Sequence, residues 1–187
     1  MDNGSNSYRR YCEGDEKGLV EIIKEYKDGL IIYINGYVDN IVIAEELVED
    51  TFVHIGIKKP RDKGKSSFKT WLYTIARNIT IDYLRKNTKR KVKEICIDEC
   101  DEISNAEEEL ELSVIRDENR IIVHRALKKL NPQYRQVLLL AYFEEFSNRE
   151  ISKIMKKSIH SIETLVYRAR KSLKEQLEKE GFYYEKL

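Results

Sequence analysis

The feature that most constrains this chain is an unbroken helical period over residues 68–93, FKTWLYTIARNITIDYLRKNTKRKVK, which ends in a crowd of cations. Phe68, Leu72, Ile75, Ala76, Ile79 and Tyr83 recur at intervals that place them on one stripe of a helix. Thr70, Thr74, Arg77, Asn78, Ile81 and Arg85 fall on the other side, and Arg85, Lys86, Lys89, Arg90, Lys91 and Lys93 gather at the far end. Residues 65–93 hold nine Lys or Arg and a single acid, Asp82, a local net of +8. A helix with an apolar back, an amide-and-guanidinium front and a basic tail suits a polyanion. Trp71 and Tyr73 add rings near its start, which can stack on unpaired bases. The same spacing fits a plain buried helix with a solvated end, so the rest of the chain must decide.

The formal net charge of +1 over 187 residues conceals that unevenness. Residues 1–64 are net −4, residues 94–118 carry 11 acids against one base, and residues 119–187 are net +7. Two basic blocks separated by an acidic one point to two nucleic-acid-facing modules and a connector. A hydrophobic content of 41% supports a core, in one domain or two small ones, and 36% charged residues with two prolines suit a helical protein with much solvated surface. No apolar run is long enough to span a bilayer and no signal-peptide pattern is present, so a cytoplasmic protein is expected. Cys12, Cys96 and Cys100 lack a second Cys/His pair at zinc spacing and read as reduced thiols. There is no HExxH, no P-loop and no carboxylate-metal cluster, and His54, His124 and His160 are scattered. The expectation is therefore a chain that is not an enzyme, with no metal, cofactor or small-molecule substrate.

Taken in order, residues 1–14 are polar and expected to fray. Leu19, Ile22, Ile23, Tyr26, Leu30 and Tyr33 predict a helix from about residue 16, with Gly29 inside it and a loop over residues 36–40. A second helix carries Ile41, Ala44, Val48, Phe52 and Ile55 on one side, and Glu45, Glu46, Glu49 and Asp50 on its exposed flank. Residues 56–67, GIKKPRDKGKSS, form a loop before the basic helix. Residues 94–118 are too acidic and too poor in aromatics to build a core, and read as a tether with short helical pieces such as residues 107–115.

From residue 119 the helical pattern returns with Ile121, Ile122, Ala126, Leu127 and Leu130. Asn131-Pro132 restarts a helix, as N-cap and first helical residue, and Tyr134, Val137, Leu138, Ala141 and Tyr142 continue it. Ser147-Asn148-Arg149-Glu150 is a capping box that opens a short helix with Ile151, Ile154 and Met155 inward. After a break at residues 156–158, Ser158 caps a long helix with Ile162, Val166, Ala169, Leu173 and Leu177. Short helix, tight break and longer helix is helix-turn-helix grammar. His160, Ser161, Glu163, Thr164 and Tyr167 would enter the major groove, and Arg168, Arg170, Lys171 and Lys174 suit phosphates.

Three of these stretches together resemble bacterial extracytoplasmic-function sigma factors. WLYTIARNITIDYLRK looks like the helix that recognises and melts the minus-ten element. IAEELVEDTFVHI resembles the helix that docks on the clamp of the polymerase's largest subunit, and residues 130–173 resemble the sigma-four domain, which reads the minus-thirty-five element. The resemblance implies an all-α chain of two small domains. Residues 8–93 would be sigma-two-like, with Trp71, Tyr73, Arg77, Asn78, Arg85 and Lys86 on minus-ten DNA and Glu45, Glu46, Glu49 and Asp50 on core RNA polymerase. Residues 94–118 would be an acidic linker threading the polymerase channel. Residues 119–180 would be sigma-four-like, with His160, Ser161, Glu163, Thr164, Tyr167, Arg168, Arg170 and Lys171 on minus-thirty-five DNA. Implied partners are core RNA polymerase, promoter DNA and an anti-sigma factor. The chain departs from the family where Lys156 and Lys157 replace a Gly and an apolar residue at the turn, and where Glu163 and Leu165 stand in place of basic groups. Either a left-handed Lys there costs on the order of 1 kcal/mol, or the turn has another geometry. The alternative is a helix-turn-helix regulator whose residues 1–93 form a sensor or dimerisation domain.

Overall fold

Helices account for nearly all of the described backbone. The computed structural model describes residues 3–60, 64, 66–94 and 118–180, so the acidic connector lies outside the described residues. The first bundle comprises α1 (Asn3–Cys12), α2 (Lys17–Val38), α3 (Ile41–Lys58) and α4 (Phe68–Glu94). The second comprises α5 (Glu118–Lys128), α6 (Pro132–Leu138), a π-helical turn (Leu139–Phe143), α7 (Asn148–Met155) and α8 (Ile159–Lys179). Among the described residues there is no strand, as an all-α chain requires.

The amino-terminal residues depart from expectation, because α1 is a packed helix. Gly4, Ser7, Tyr8 and Tyr11 sit at helical spacing and face inward, but only the tyrosines are large, so hydropathy carries little signal. Tyr8 is 4% exposed; its ring lies 5.5 Å from Phe68 and 5.1 Å from Trp71, and its hydroxyl donates to the Pro60 carbonyl at 2.9 Å. The close approach needs a glycine opposite. A Cβ on Gly18 of α2 would stand 2.2 Å from the Ser7 carbonyl oxygen.

The expected loop over residues 36–40 is shorter than predicted. Helix α2 runs on to Val38, and the turn is Asp39, left-handed at φ 49°, and Asn40, whose side chain accepts from the Ile43 N–H at 3.1 Å. Gly36 is therefore helical, and its role is contact: a Cβ there would meet the Leu139 side chain at 2.7 Å.

Helix α4 buries more than the predicted stripe. Phe68, Leu72 and Ala76 are fully enclosed, Ile75, Ile79 and Tyr83 pack at the margin of the core, and Thr70, Tyr73 and Thr80 are buried as well. Thr80 satisfies its hydroxyl on the Ala76 carbonyl at 2.9 Å, one turn back.

In the second bundle, Val137, Leu138, Ile151, Ile154, Ile162 and Ala169 form the centre. The helix expected to run through Tyr142 is α-helical only to Leu138. It widens into the π-helical turn, which closes with the Glu144 N–H on the Leu139 carbonyl at 3.1 Å. Glu145 follows at φ 56°. This end aims residues 144–146 at the first bundle, and the apolar core is continuous across both.

Replacing Gly18 by Ala is expected to lower stability by about 1–3 kcal/mol, since backbone cannot yield to the new methyl group. Gly56→Ala, where a Cβ meets only ordinary contacts at 3.5 Å, is expected to be neutral or stabilising by up to ~1 kcal/mol. Urea midpoints measured at constant slope check the pair.

Candidate nucleic-acid interface

Along the outer side of α4, Asn78 and Arg77 are half-buried, and Arg85 and Lys86 are exposed. Arg85 approaches Asp82 at 3.7 Å, but both side chains are mostly solvated, so the pair leaves the guanidinium available. The side chains of residues 89–94 lie outside the described residues.

The two rings expected on this surface are placed otherwise. Trp71 is half-buried against Tyr8 and Phe68, the latter at 5.3 Å. Tyr73 is 0% exposed, 5.3 Å from Tyr33 and edge-on to Phe146 at 5.1 Å, so no base can reach it here. The physical reason is position: residue 73 points at α2 and at the turn from the second bundle, not along the solvent side. Burial, followed by the nearby Glu144 carboxylate, pushes the Tyr73 hydroxyl far above the ordinary phenolic range.

Arg77 has a structural attachment that spacing could not show. Its Nε is buried without a hydrogen bond, and its charge bears on the Tyr33 and Tyr37 hydroxyls, which are 2.8 Å apart. Burial raises both tyrosines, and the guanidinium opposes that shift. Arg77 thus anchors the front of α4 to the α2 side, while Arg85 and Lys86 stay free of the core.

On α3, Glu45, Glu46, Glu49 and Asp50 are all exposed. The structure adds what the sequence reading missed: Val42, Val53 and Ile57 are 52%, 53% and 79% exposed. At spacing 42, 46, 49, 53, 57 they share a stripe with Glu46 and Glu49, and that spacing was available as a signal. A mixed acidic and apolar stripe is suited to a protein partner.

The helix-turn-helix is built by local chemistry. The Ser147 N–H donates to Glu150 Oε2 at 3.0 Å and the Glu150 N–H to Ser147 Oγ at 3.4 Å, completing the capping box that starts α7. Lys156 is left-handed at φ 54°, ψ 47°, and the Lys157 N–H closes onto the Ser152 carbonyl at 3.0 Å. Ser158 Oγ then accepts from the Ser161 N–H at 3.1 Å to start α8. His160, Ser161, Glu163, Tyr167, Arg168, Arg170 and Lys171 are exposed on α8. Thr164 is half-buried, its hydroxyl donating to the His160 carbonyl at 3.0 Å. A groove of ≈ 710 Å³ runs between residues 131–134 and the first turns of α8, with Arg168 at its edge. Among the described residues no cluster of His, Cys, Asp and Glu is fit to hold a metal, and no helix is long and apolar enough to cross a membrane.

Two family descriptions match the chain: sigma-70 region 2 over residues 22–90 and sigma-70 region 4 over residues 120–173. RNA polymerase sigma factor YlaC of Bacillus subtilis is 30% identical over 161 residues, covering 86% of this chain and 92% of the relative. The ECF RNA polymerase sigma factor SigW of the same organism is 26% identical, covering 88% of this chain and 91% of its own. The sigma factor RpoE of Bartonella quintana, co-crystallised with the anti-sigma factor NepR, superposes with a TM-score of 0.67 at 25% identity, over 87% of this chain and 98% of that one.

The left-handed Lys156 yields a stability prediction. Lys156→Gly should stabilise the protein by about 1 kcal/mol by removing the Cβ clash, whereas Lys156→Ala keeps the clash and gains little. Thermal melting should rise by roughly 2–4 °C for the first variant alone.

Proposed function

The chain belongs to the sigma-70 family, in its extracytoplasmic-function group, and we propose that its two bundles divide promoter recognition between them. It is a transcription initiation factor that directs RNA polymerase to promoters. Residues 8–93 dock on the core enzyme and open the minus-ten element. Residues 119–180 grip the minus-thirty-five element, and residues 94–118 link them. The chain performs no reaction of its own, since the polymerase carries out nucleotidyl transfer, and it acts in the cytoplasm where the template lies.

The observation that carries this reading is the outer side of α4, where half-buried Asn78 leads to exposed Arg85 and Lys86. An amide held rigidly at a helix surface can pair with a base edge on an exposed strand, while solvated cations hold phosphates and release counterions. Extruding a base costs a few kcal/mol, so a surface that receives it discriminates among sequences. Trp71 and Tyr73 serve this surface by holding α4 in place from behind. On α8, Arg168, Arg170 and Lys171 take the backbone, and His160, Ser161, Glu163, Thr164 and Tyr167 face the major groove. Glu163 lies 3.9 Å from His160 Nδ1, and both side chains are exposed at the start of α8. The acidic and apolar stripe of α3 meets the core enzyme. Bartonella RpoE was solved with an anti-sigma factor, and this chain is taken to have such a partner too. The regulator alternative asks for a ligand-sized apolar pocket in the first bundle; a cleft of about 510 Å³ between the two bundles is instead lined largely by charged side chains, among them Glu25, Lys69, Glu144 and Glu150.

Two measurements test the assignment. Glu46→Lys with Glu49→Lys should weaken holoenzyme formation while circular dichroism stays unchanged; undiminished binding to core polymerase would remove α3 from the interface. In open-complex assays on matched and single-base-substituted promoters, Asn78→Ala should lose roughly 1–3 kcal/mol of minus-ten discrimination. Arg85→Ala should weaken every promoter alike and reduce the salt dependence by about one counterion. An identical, sequence-independent loss for both variants would refute base reading by Asn78.

A further inference from the structure

A carboxylate stands on the side of α8 that otherwise offers cations. Arg168, Arg170 and Lys171 are exposed there, and Glu163 is exposed one to two turns nearer the amino-terminal end. The fully buried Ile162 and Ala169 mark the side of α8 that faces the core. At about 100° per residue, His160, Glu163 and Tyr167 come round to the opposite side. In a helix-turn-helix, the first turns of the second helix are the part that reaches base edges. Glu163 stands in the second turn, with its side chain 55% exposed. Leu165, close by, is half-buried and packs against the core, so it is not offered to a partner.

Two observations leave the carboxylate available. Among the described residues, no lysine or arginine lies within ion-pairing distance of it; its ionic neighbour is His160, whose Nδ1 at 3.9 Å is too distant for a hydrogen bond. Acids near the far end of the helix do have cations: Glu178 lies 3.8 Å from Lys174, and Glu180 pairs with Lys129. The neighbouring hydroxyls, by contrast, are engaged at the start of the helix. Thr164 donates to the His160 carbonyl at 3.0 Å, and Ser161 Oγ accepts from Ser158 Oγ at 2.8 Å. Glu163 keeps its oxygen lone pairs for a donor from outside the chain.

An acid on a phosphate-facing surface carries a cost. It opposes the attraction that the surrounding cations supply to a polyanion. That cost is offset by a hydrogen-bond donor on the DNA. In the major groove the donors are the exocyclic amino groups, N4 of cytosine and N6 of adenine. An ionised carboxylate has acceptors alone. Adenine presents the acceptor N7 beside its N6 donor, which repels the second oxygen, and guanine presents the acceptors N7 and O6 and no donor. Cytosine is the base whose edge matches.

We propose that Glu163 determines specificity at one base pair of the minus-thirty-five element, accepting from cytosine N4 and excluding guanine and adenine. This role rests on the sigma-factor reading above, and it makes the carboxylate a source of discrimination rather than of affinity.

The test is selection from a promoter library with the minus-thirty-five element randomised, using the full chain assembled on purified core polymerase. Bound DNA is sequenced for the wild type, Glu163→Ala, Glu163→Gln and Glu163→Lys. The wild type should enrich cytosine at one position about tenfold over the other bases. Glu163→Ala should lose that preference and, with the repulsion removed, bind mismatched promoters several-fold more tightly. Glu163→Gln should shift the same position toward adenine and Glu163→Lys toward guanine, because an amide pairs with adenine N6 and N7 and an ammonium with guanine O6 and N7. Circular dichroism should be the same for all four, since the side chain is exposed. One enriched sequence common to the wild type and all three variants overturns the proposal. So does a wild type that prefers another base at the position the variants change, or a Glu163→Ala that weakens every promoter alike. In each of these cases an enriched minus-ten sequence leaves the sigma-factor reading standing. A wild type that brings core polymerase to no sequence refutes that reading, and the role of Glu163 with it.

Discussion

The first two turns of α4 hold the molecule together, because aromatic rings from every direction converge on them. Phe68 lies 5.5 Å from Tyr8 of α1, 5.7 Å from Tyr26 of α2 and 5.3 Å from Trp71. One turn on, Tyr73 joins Tyr33 of α2 to Phe146 of the second bundle. Each such ring buries a large apolar area, and tilted or edge-on pairs add about 0.5–1.5 kcal/mol beyond it. Pinning the start of the helix this firmly leaves its later turns free to project Arg85 and Lys86 into solvent. That combination, a rigid base and an exposed end, is what the DNA-reading role proposed for α4 requires.

Charge is segregated by task. Acids stand on α3 among exposed Val42, Val53 and Ile57, a mixture suited to a protein surface, and exposed cations stand on α4 and α8, a chemistry suited to phosphates. The whole-chain charge of +1 averages these away. Glu150 works inside this pattern as a half-buried anion among hydroxyls. Burial raises its pKa, but the hydrogen bonds from Ser147, Thr70 and Ser67 outweigh it and hold the carboxyl below its usual range. Its stabilising contribution is thus present at neutral pH and lost as the solution is acidified through that lowered pKa.

Features governed by residues within four positions of one another were legible from the sequence. The Asn131 cap with Pro132, the Ser147–Glu150 box and the Ser158 cap all stand where the local chemistry put them, whereas the left-handed conformation of Lys156 was one of two geometries the sequence left open. The exposed cations of α4 and the exposed acids of α3 were legible for the same reason: period alone separates front from back. Helix α1 was not, since two small or polar residues and two tyrosines form its inner stripe and only an opposing Gly18 makes that stripe a packing surface. Gly36 read as a loop because glycine commonly breaks helices, whereas here it admits a neighbour.

By itself, then, the sequence determined the helices after α1, their caps and which sides carry charge, because those depend on spacing along a single element. The tertiary structure decided the fate of Tyr73, Thr70 and Arg77, because the sides of α4 they occupy become interior only when α2 and the second bundle close over them. It also decided the π-helical turn, where one wider ring of hydrogen bonds delivers Glu144 to Lys69 and Phe146 to Tyr73. No local pattern encodes that contact, since its partners are more than seventy residues apart and meet only in the folded chain.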